Sequence, residues 1–181
     1  LLFLCSAFGL GSARLLRDQG VEAVKVASPE LNHFPLLREL AGYDLPLIIS
    51  TGVSTLSDIE RALIAAGPKT VLLHCITSYP APEEEHNLRV ICNLRGIFGR
   101  PVGVSDHSRD PLLVPGLAAA MGACVVEKHI ALSAADGGLD DPIALEPKAF
   151  SRMVEGIRRI EGMDPNEGQS RLEKEYGWDR I

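Results

Sequence analysis

Short apolar runs that end on polar residues alternate along this chain with stretches of helical periodicity. The plainest run is VGVSDH at residues 102–107, where small apolar residues around Gly103 pass straight into Ser105, Asp106 and His107. A buried parallel strand whose last residues emerge at the rim of a sheet has this pattern. A second run, CVVEKH at 124–129, ends on another histidine 22 residues after the first, with a helix-length segment at 111–121 between them. Strand, helix, strand is a crossover unit, so the two strands are expected to be parallel with like ends adjacent. His107 and His129 then sit on neighbouring strand ends, within reach of a shared ligand.

The same alternation extends over the rest of the chain. Strands are predicted at 1–5, 23–27, 47–49 and 71–75, and helices at 13–19, 35–40, 55–66, 88–98 and 147–160. Thr55 with Asp58 forms a capping-box pattern ahead of an apolar stripe of Leu56, Ile59, Leu63 and Ile64. The polar strand ends at Ser28, Ser50, Cys75, Ser105 and Lys128 are spaced by 22, 25, 30 and 23 residues. That rhythm fits a (β/α)8 TIM barrel, whose active site lies at the C-terminal strand ends. A doubly wound open sheet has a similar rhythm, but no G-x-G-x-x-G turn follows the first strand. Six of the eight βα units of a barrel are recognisable. The chain opens on Leu rather than Met and in mid-pattern, so two units are expected to be missing from its front. Residues 1–161 are therefore expected to form a partial barrel domain, and 162–181 a polar tail or linker toward an absent C-terminal domain. Six strands would leave two sheet edges, at 1–5 and 123–128, and open apolar edges recruit other chains.

Composition changes this picture little. The 181 residues are 46% hydrophobic and 23% charged, ordinary for a soluble domain with a real core. A net charge of -6 with no long basic run argues against a nucleic-acid partner. No stretch reaches the roughly 20 apolar residues of a membrane span. Residues 1–5 lack the basic flank and length of a signal peptide, so a cytoplasmic location without membrane association is expected. Cys5, Cys75, Cys92 and Cys124 show no CxxC spacing and read as buried free thiols.

The rim residues carry the chemistry. A lysine inside an apolar strand is costly to bury without a partner. Lys25 therefore binds an anion, forms a structural ion pair or acts as a Schiff-base nucleophile. Ser28, Ser50, Thr51 and Ser105 each place a hydroxyl at a strand end, and with Lys25 they suit a phosphate or carboxylate cradle. Two histidines at matching positions, completed by water, suit a labile catalytic divalent ion better than a closed structural zinc. Lys128, between Glu127 and His129, should face away from both and be structural. His74 reads as a satisfied core residue, and His33 and His86 as solvated loop residues.

Taken together, KVAS at 25–28, NHFPLL at 32–37, ISTG at 49–52, LLHCITSYPAP at 72–82, NLR at 87–89, VGVSDH and VVEKH resemble the sialic acid synthase family. Its members include N-acetylneuraminate synthase and related spore-coat polysaccharide proteins. The similarity runs in order from about residue 2 to residue 160, and implies that the strands present are the third to eighth of a TIM barrel. It also implies condensation of phosphoenolpyruvate with N-acetylmannosamine or a related sugar aldehyde, with C–O cleavage and release of phosphate. By motif match, His107 and His129 would hold manganese or magnesium, and with Lys25 would form the catalytic set. Lys25, Ser28, Ser50 and Ser105 would bind phosphoenolpyruvate, Tyr79 and Asp140 would face the sugar, and Thr77 would join the substrate contacts. A homodimer or other homo-oligomer is implied, since the family's C-terminal domain reaches the site of a partner subunit. Three features depart from the family pattern: Ile130 in place of the usual aromatic, Thr77 in place of asparagine or serine, and GGLDD at 137–141 in place of PGPDH. A Schiff-base aldolase using Lys25 and a non-catalytic sugar-phosphate-binding partial barrel are the competing readings.

Overall fold

A computed structural model describes residues 1–133 and 137–163. The expected tail at 162–181 lies, from residue 164 on, outside the described residues. Six parallel strands appear in chain order: β1 (Cys5–Ser6), β2 (Val24–Val26), β3 (Leu47–Ser50), β4 (Thr70–Cys75), β5 (Val102–Asp106) and β6 (Val126–Lys128). Between and after them run α1 (Leu10–Asp18), α2 (Phe34–Ala41), α3 (Leu56–Ala66), α4 (Arg89–Phe98), α5 (Leu113–Ala120) and α6 (Pro147–Glu161). Each strand pairs with the next in sequence, and β1 and β6 form the two edges. This is a partial (β/α)8 barrel, as the spacing of polar strand ends predicts. Among the described residues no helix is long and apolar enough to cross a membrane.

Local chemistry accounts for the elements. Thr55 Oγ1 accepts from the Asp58 amide at 3.2 Å while Asp58 Oδ2 accepts from the Thr55 amide at 3.0 Å. This reciprocal box starts α3. Gly99 ends α4 in the left-handed region at φ 60°, where a side chain would be strained. The first run is shorter than its apolar character suggests. Only Cys5 and Ser6 join the sheet, and Leu1, Leu2 and Phe3 are exposed, because β1 has a partner on one side only.

Register assigns every strand residue to one of two faces. Lys25 pairs with Ile48, Ser50 with Leu73, and Cys75 with Ser105, which in turn pairs with Glu127. Paired residues in a parallel sheet share a face, so these line the concave side. Val24, Val26, Leu47, Ile49, Leu72, Val102 and Val104 take the other face. There they pack with Leu36, Leu37 and Leu40 of α2 and with Ile59, Ala62 and Leu63 of α3. Gly103 is needed on the concave side. A Cβ there would lie 2.9 Å from Leu73 Cδ2 and would overlap the Val125 carbonyl.

The outer face also buries charge. Lys128 Nζ donates to Asp106 Oδ2 at 2.7 Å and to the Ser108 carbonyl at 2.5 Å, and both side chains of the ion pair are fully buried. Asp106 Oδ1 accepts from the Ser108 amide at 2.8 Å. Lys128 thus faces away from Glu127 and His129, as the alternation requires. His86 is not the solvated residue its loop position suggests. It is 2% exposed, donates through Nδ1 to the Pro82 carbonyl at 2.9 Å, and places Nε2 3.3 Å from Asp106 Oδ1. That last approach serves a charge pair rather than a well-aligned hydrogen bond. His74 is the buried, satisfied residue expected, donating from Nε2 to the His86 carbonyl at 2.6 Å. Burial alone would raise the Asp106 carboxyl, but the close approach of His86 and the hydrogen bond from Lys128 outweigh it and hold it at about 2. The Asp106 carboxylate in turn raises His86. The cysteines are all free, yet only Cys75 is fully buried. Cys92 and Cys124 are exposed, because Cys92 lies on the outside of α4 and Cys124 precedes β6 rather than joining it.

Removing one partner from a buried ion pair leaves an uncompensated charge, so Asp106→Asn is expected to destabilise the fold by about 3–5 kcal/mol in urea unfolding. The raised His86 contributes stability that is fully present below its unfolded value near pH 6.5 and fades as pH rises through the raised folded value. The stability gap between wild type and His86→Gln should therefore be larger at pH 6 than at pH 9.

Candidate active site

The concave face and the loops at its C-terminal rim bring the chemistry together. Lys25 on β2 reaches Glu127 on β6, with Nζ 3.4 Å from Oε2. The other carboxylate oxygen, Oε1, accepts from Ser105 Oγ at 2.5 Å. One carboxylate therefore ties a lysine and a serine that the sequence assigns to anion binding. Ser28 Oγ accepts from the Gly52 amide at 3.0 Å and lies 3.2 Å from Cys75 Sγ. Ser50 Oγ is buried without a hydrogen-bond partner. A buried orphan hydroxyl is uncommon and is satisfied at low cost by a ligand oxygen. Thr51 is spoken for: its hydroxyl donates to the Leu73 carbonyl at 3.0 Å.

The two histidines meet at the rim, their ring centroids 5.6 Å apart. His107 is buried and donates from Nδ1 to the Ile76 carbonyl at 2.8 Å, which fixes the tautomer and leaves the Nε2 lone pair facing the site. Nε2 lies 3.4 Å from Ser105 Oγ. Burial lowers the His107 imidazole below its ordinary value; the hydrogen bond to the Ile76 carbonyl opposes this and the neighbouring His129 adds to it. His129 Nδ1 sits 3.5 Å from Asp140 Oδ2. Tyr79 stacks on His107 with centroids 4.1 Å apart and meets His129 edge-on at 6.1 Å. Thr77 is exposed on the same loop and its hydroxyl crowds Gly52. Among the described residues no group of three or more His, Cys, Asp or Glu side chains is arranged to hold a metal ion. Two oriented imidazoles do suit a labile ion whose remaining positions are taken by water and substrate oxygen.

The structure thus brings together Lys25, Ser28, Ser50, Ser105, His107, His129, Tyr79 and Asp140, with Thr77 at the margin. Sequence reasoning missed Glu127 and Cys75 as members of this surface. The signal for Glu127 is the period-two alternation, which puts it on the same face as His129 whenever Lys128 points away. Cys75 belongs by the same rule, since it follows Leu73 by two residues.

The model of the NeuB family matches residues 1–168. The chain belongs to the NeuB family. This NeuB-family chain is 38% identical over 165 residues to the N,N'-diacetyllegionaminic acid synthase of Campylobacter jejuni, covering 88% of the chain and 49% of the synthase. It superposes on the spore coat polysaccharide biosynthesis protein SpsE of Bacillus subtilis with a TM-score of 0.87 and 37% identity, over 90% of the chain and 47% of that protein. An N-acetylneuraminic acid synthetase of Leptospira borgpetersenii, in complex with citrate, matches at a TM-score of 0.86 and 31% identity, over 99% of the chain and 67% of the synthetase. The chain spans about half the length of the curated relatives it matches.

A Cβ at position 52 would lie 2.5 Å from Cys75 Sγ and 3.1 Å from the Cys75 carbonyl, and would overlap the Thr77 hydroxyl. Gly52→Ala is therefore expected to cost about 1–3 kcal/mol by overpacking, read as a lowered denaturant midpoint with unchanged m-value.

Proposed function

We propose that this chain carries the anion-binding and metal-binding part of a synthase that condenses phosphoenolpyruvate with N-acetylmannosamine or a related sugar aldehyde. The product is a nonulosonic acid of the sialic acid type, and phosphate leaves with C–O cleavage. The observation that carries this reading is the set of Lys25, Ser28, Ser50 and Ser105 on one concave face, beneath two imidazoles at its rim. Support also comes from relatives that are themselves synthases of legionaminic and N-acetylneuraminic acids.

The reaction needs an enol phosphate held still while its terminal carbon attacks an aldehyde. Lys25 supplies a positive charge to the anion, and the three serine hydroxyls supply donors. Ser50 Oγ, with no partner inside the protein, gains one when an anion oxygen arrives. Glu127 holds Lys25 and Ser105 ready before the anion does. At the rim, His107 Nε2 and the His129 ring would hold a manganese or magnesium ion. Such an ion polarises the aldehyde oxygen as negative charge develops there. Tyr79 and Asp140 border the same space and orient the sugar. The Lys25 amine is already engaged by a carboxylate, which favours the anion-binding role over a Schiff-base nucleophile.

Charge-assisted hydrogen bonds contribute roughly 1.5–3 kcal/mol each, so Lys25→Ala in the full-length protein is expected to weaken phosphoenolpyruvate binding about tenfold or more by calorimetry. Unchanged binding rejects the cradle. Borohydride treatment with a carbonyl substrate is expected to leave no reduced adduct on Lys25, and a trapped adduct would favour the aldolase. His107→Ala should abolish manganese binding followed by electron paramagnetic resonance while the far-UV spectrum is retained.

A further inference from the structure

Cys75 is a buried thiol at the end of β4, 4% exposed, which the reaction outlined above leaves without a task. Its sulfur lies 3.2 Å from Ser28 Oγ, the hydroxyl 47 residues earlier and two residues beyond the end of β2. Ser28 Oγ has one proton and two lone pairs to place. The Gly52 amide fills one lone pair at 3.0 Å. Two arrangements remain: Ser28 donates to the sulfur, or the thiol donates to the second lone pair of Ser28. Sulfur is a weak acceptor and a thiol a weak donor. When an anion occupies the cradle, the stronger donor, the hydroxyl, goes to the stronger acceptor, and the thiol proton then fills the remaining lone pair. The presence of a ligand on this surface has separate support in Ser50 Oγ. That atom is on the same concave face, in a residue only 3% exposed, and has no partner within the protein.

We propose that Cys75 is a positioning residue of the anion cradle: its S–H occupies the second lone pair of Ser28, so that the Ser28 proton is left to donate to the bound anion. This rests on the reading of Lys25 and the strand-end serines as an anion site. Gly52 is part of the same device. It has no Cβ where one would strike Cys75 Sγ, so its amide and the thiol converge on one oxygen. Cys75 acts through Ser28 and makes no claim on the sugar.

A double-mutant cycle in the full-length protein tests it, with phosphoenolpyruvate and inorganic phosphate as calorimetric probes and KM and kcat measured for both substrates. Cys75→Ala alone is expected to weaken phosphoenolpyruvate binding three- to tenfold and to raise its KM by a similar factor, with the sugar KM unchanged. In a Ser28→Ala background the same change should have no further effect, because the oxygen it positions is gone. Cys75→Ser, which keeps a donor on a shorter bond, should recover at least part of the loss and guards against a variant that fails to fold. A merely structural thiol would instead lower the melting temperature, weaken both substrates together and cost the same in either background; that additivity would overturn the proposal. If Lys25→Ala still weakens phosphoenolpyruvate binding while the cycle is additive, the cradle stands and only the role of Cys75 falls. If Lys25→Ala leaves binding intact, the cradle itself is wrong and the role of Cys75 falls with it.

Discussion

The contact between Lys25 and Glu127 fixes the shape on which everything else depends. Neighbouring strands lie about 4.8 Å apart, so β2 and β6 would be separated by about 19 Å in a flat sheet. An approach of 3.4 Å between their side chains requires the sheet to curl until the two strands face each other across a hollow. The pair is therefore possible only in a barrel-like arc, and it places a cation, a carboxylate and the Ser105 hydroxyl at one point of that hollow. Curvature and chemistry are the same fact here. The charged pair shows how far the sheet curls.

Each terminal strand segment does two jobs because alternate residues face opposite ways. On β5, Ser105 and His107 face the hollow while Asp106 faces the helices. On β6, Glu127 and His129 face the hollow while Lys128 meets Asp106 behind the sheet. The hidden ion pair joins the two strands that carry the imidazoles, one residue away from each. Burying a lysine and an aspartate is not a cheap way to add stability. What it does here is link β5 to β6 one residue away from each imidazole.

Much of this is legible in the sequence itself. Short apolar runs ending on polar residues mark all six strands, and their spacing points to the barrel. The order of small motifs gave the family. What the pattern could not supply was distance across the hollow: Lys25 and Glu127 are 102 residues apart, and no local rule joins them. His86 was misread for a related reason. A histidine after three glutamates in a proline-rich loop looks solvated, yet the loop folds back over β4 and β5 and buries it against Asp106. Likewise, an apolar residue count cannot show that the first four residues lie outside the sheet, since strand length is set by available partners rather than by hydrophobicity.

The loop after β4 is fastened to the end of β5 three times over. His107 Nδ1 donates to the Ile76 carbonyl, the Ala81 amide donates to the His107 carbonyl at 3.0 Å, and Tyr79 lies flat on the imidazole. The loop after β6 is different at its tip: Leu139 is almost wholly exposed, and Asp140 meets the site at His129 Nδ1. The two loops therefore differ in how a change in sequence reaches the rings. A substitution in the first loop acts directly on the His107 ring, whereas one at the exposed tip near Leu139 leaves that ring's three fastenings in place.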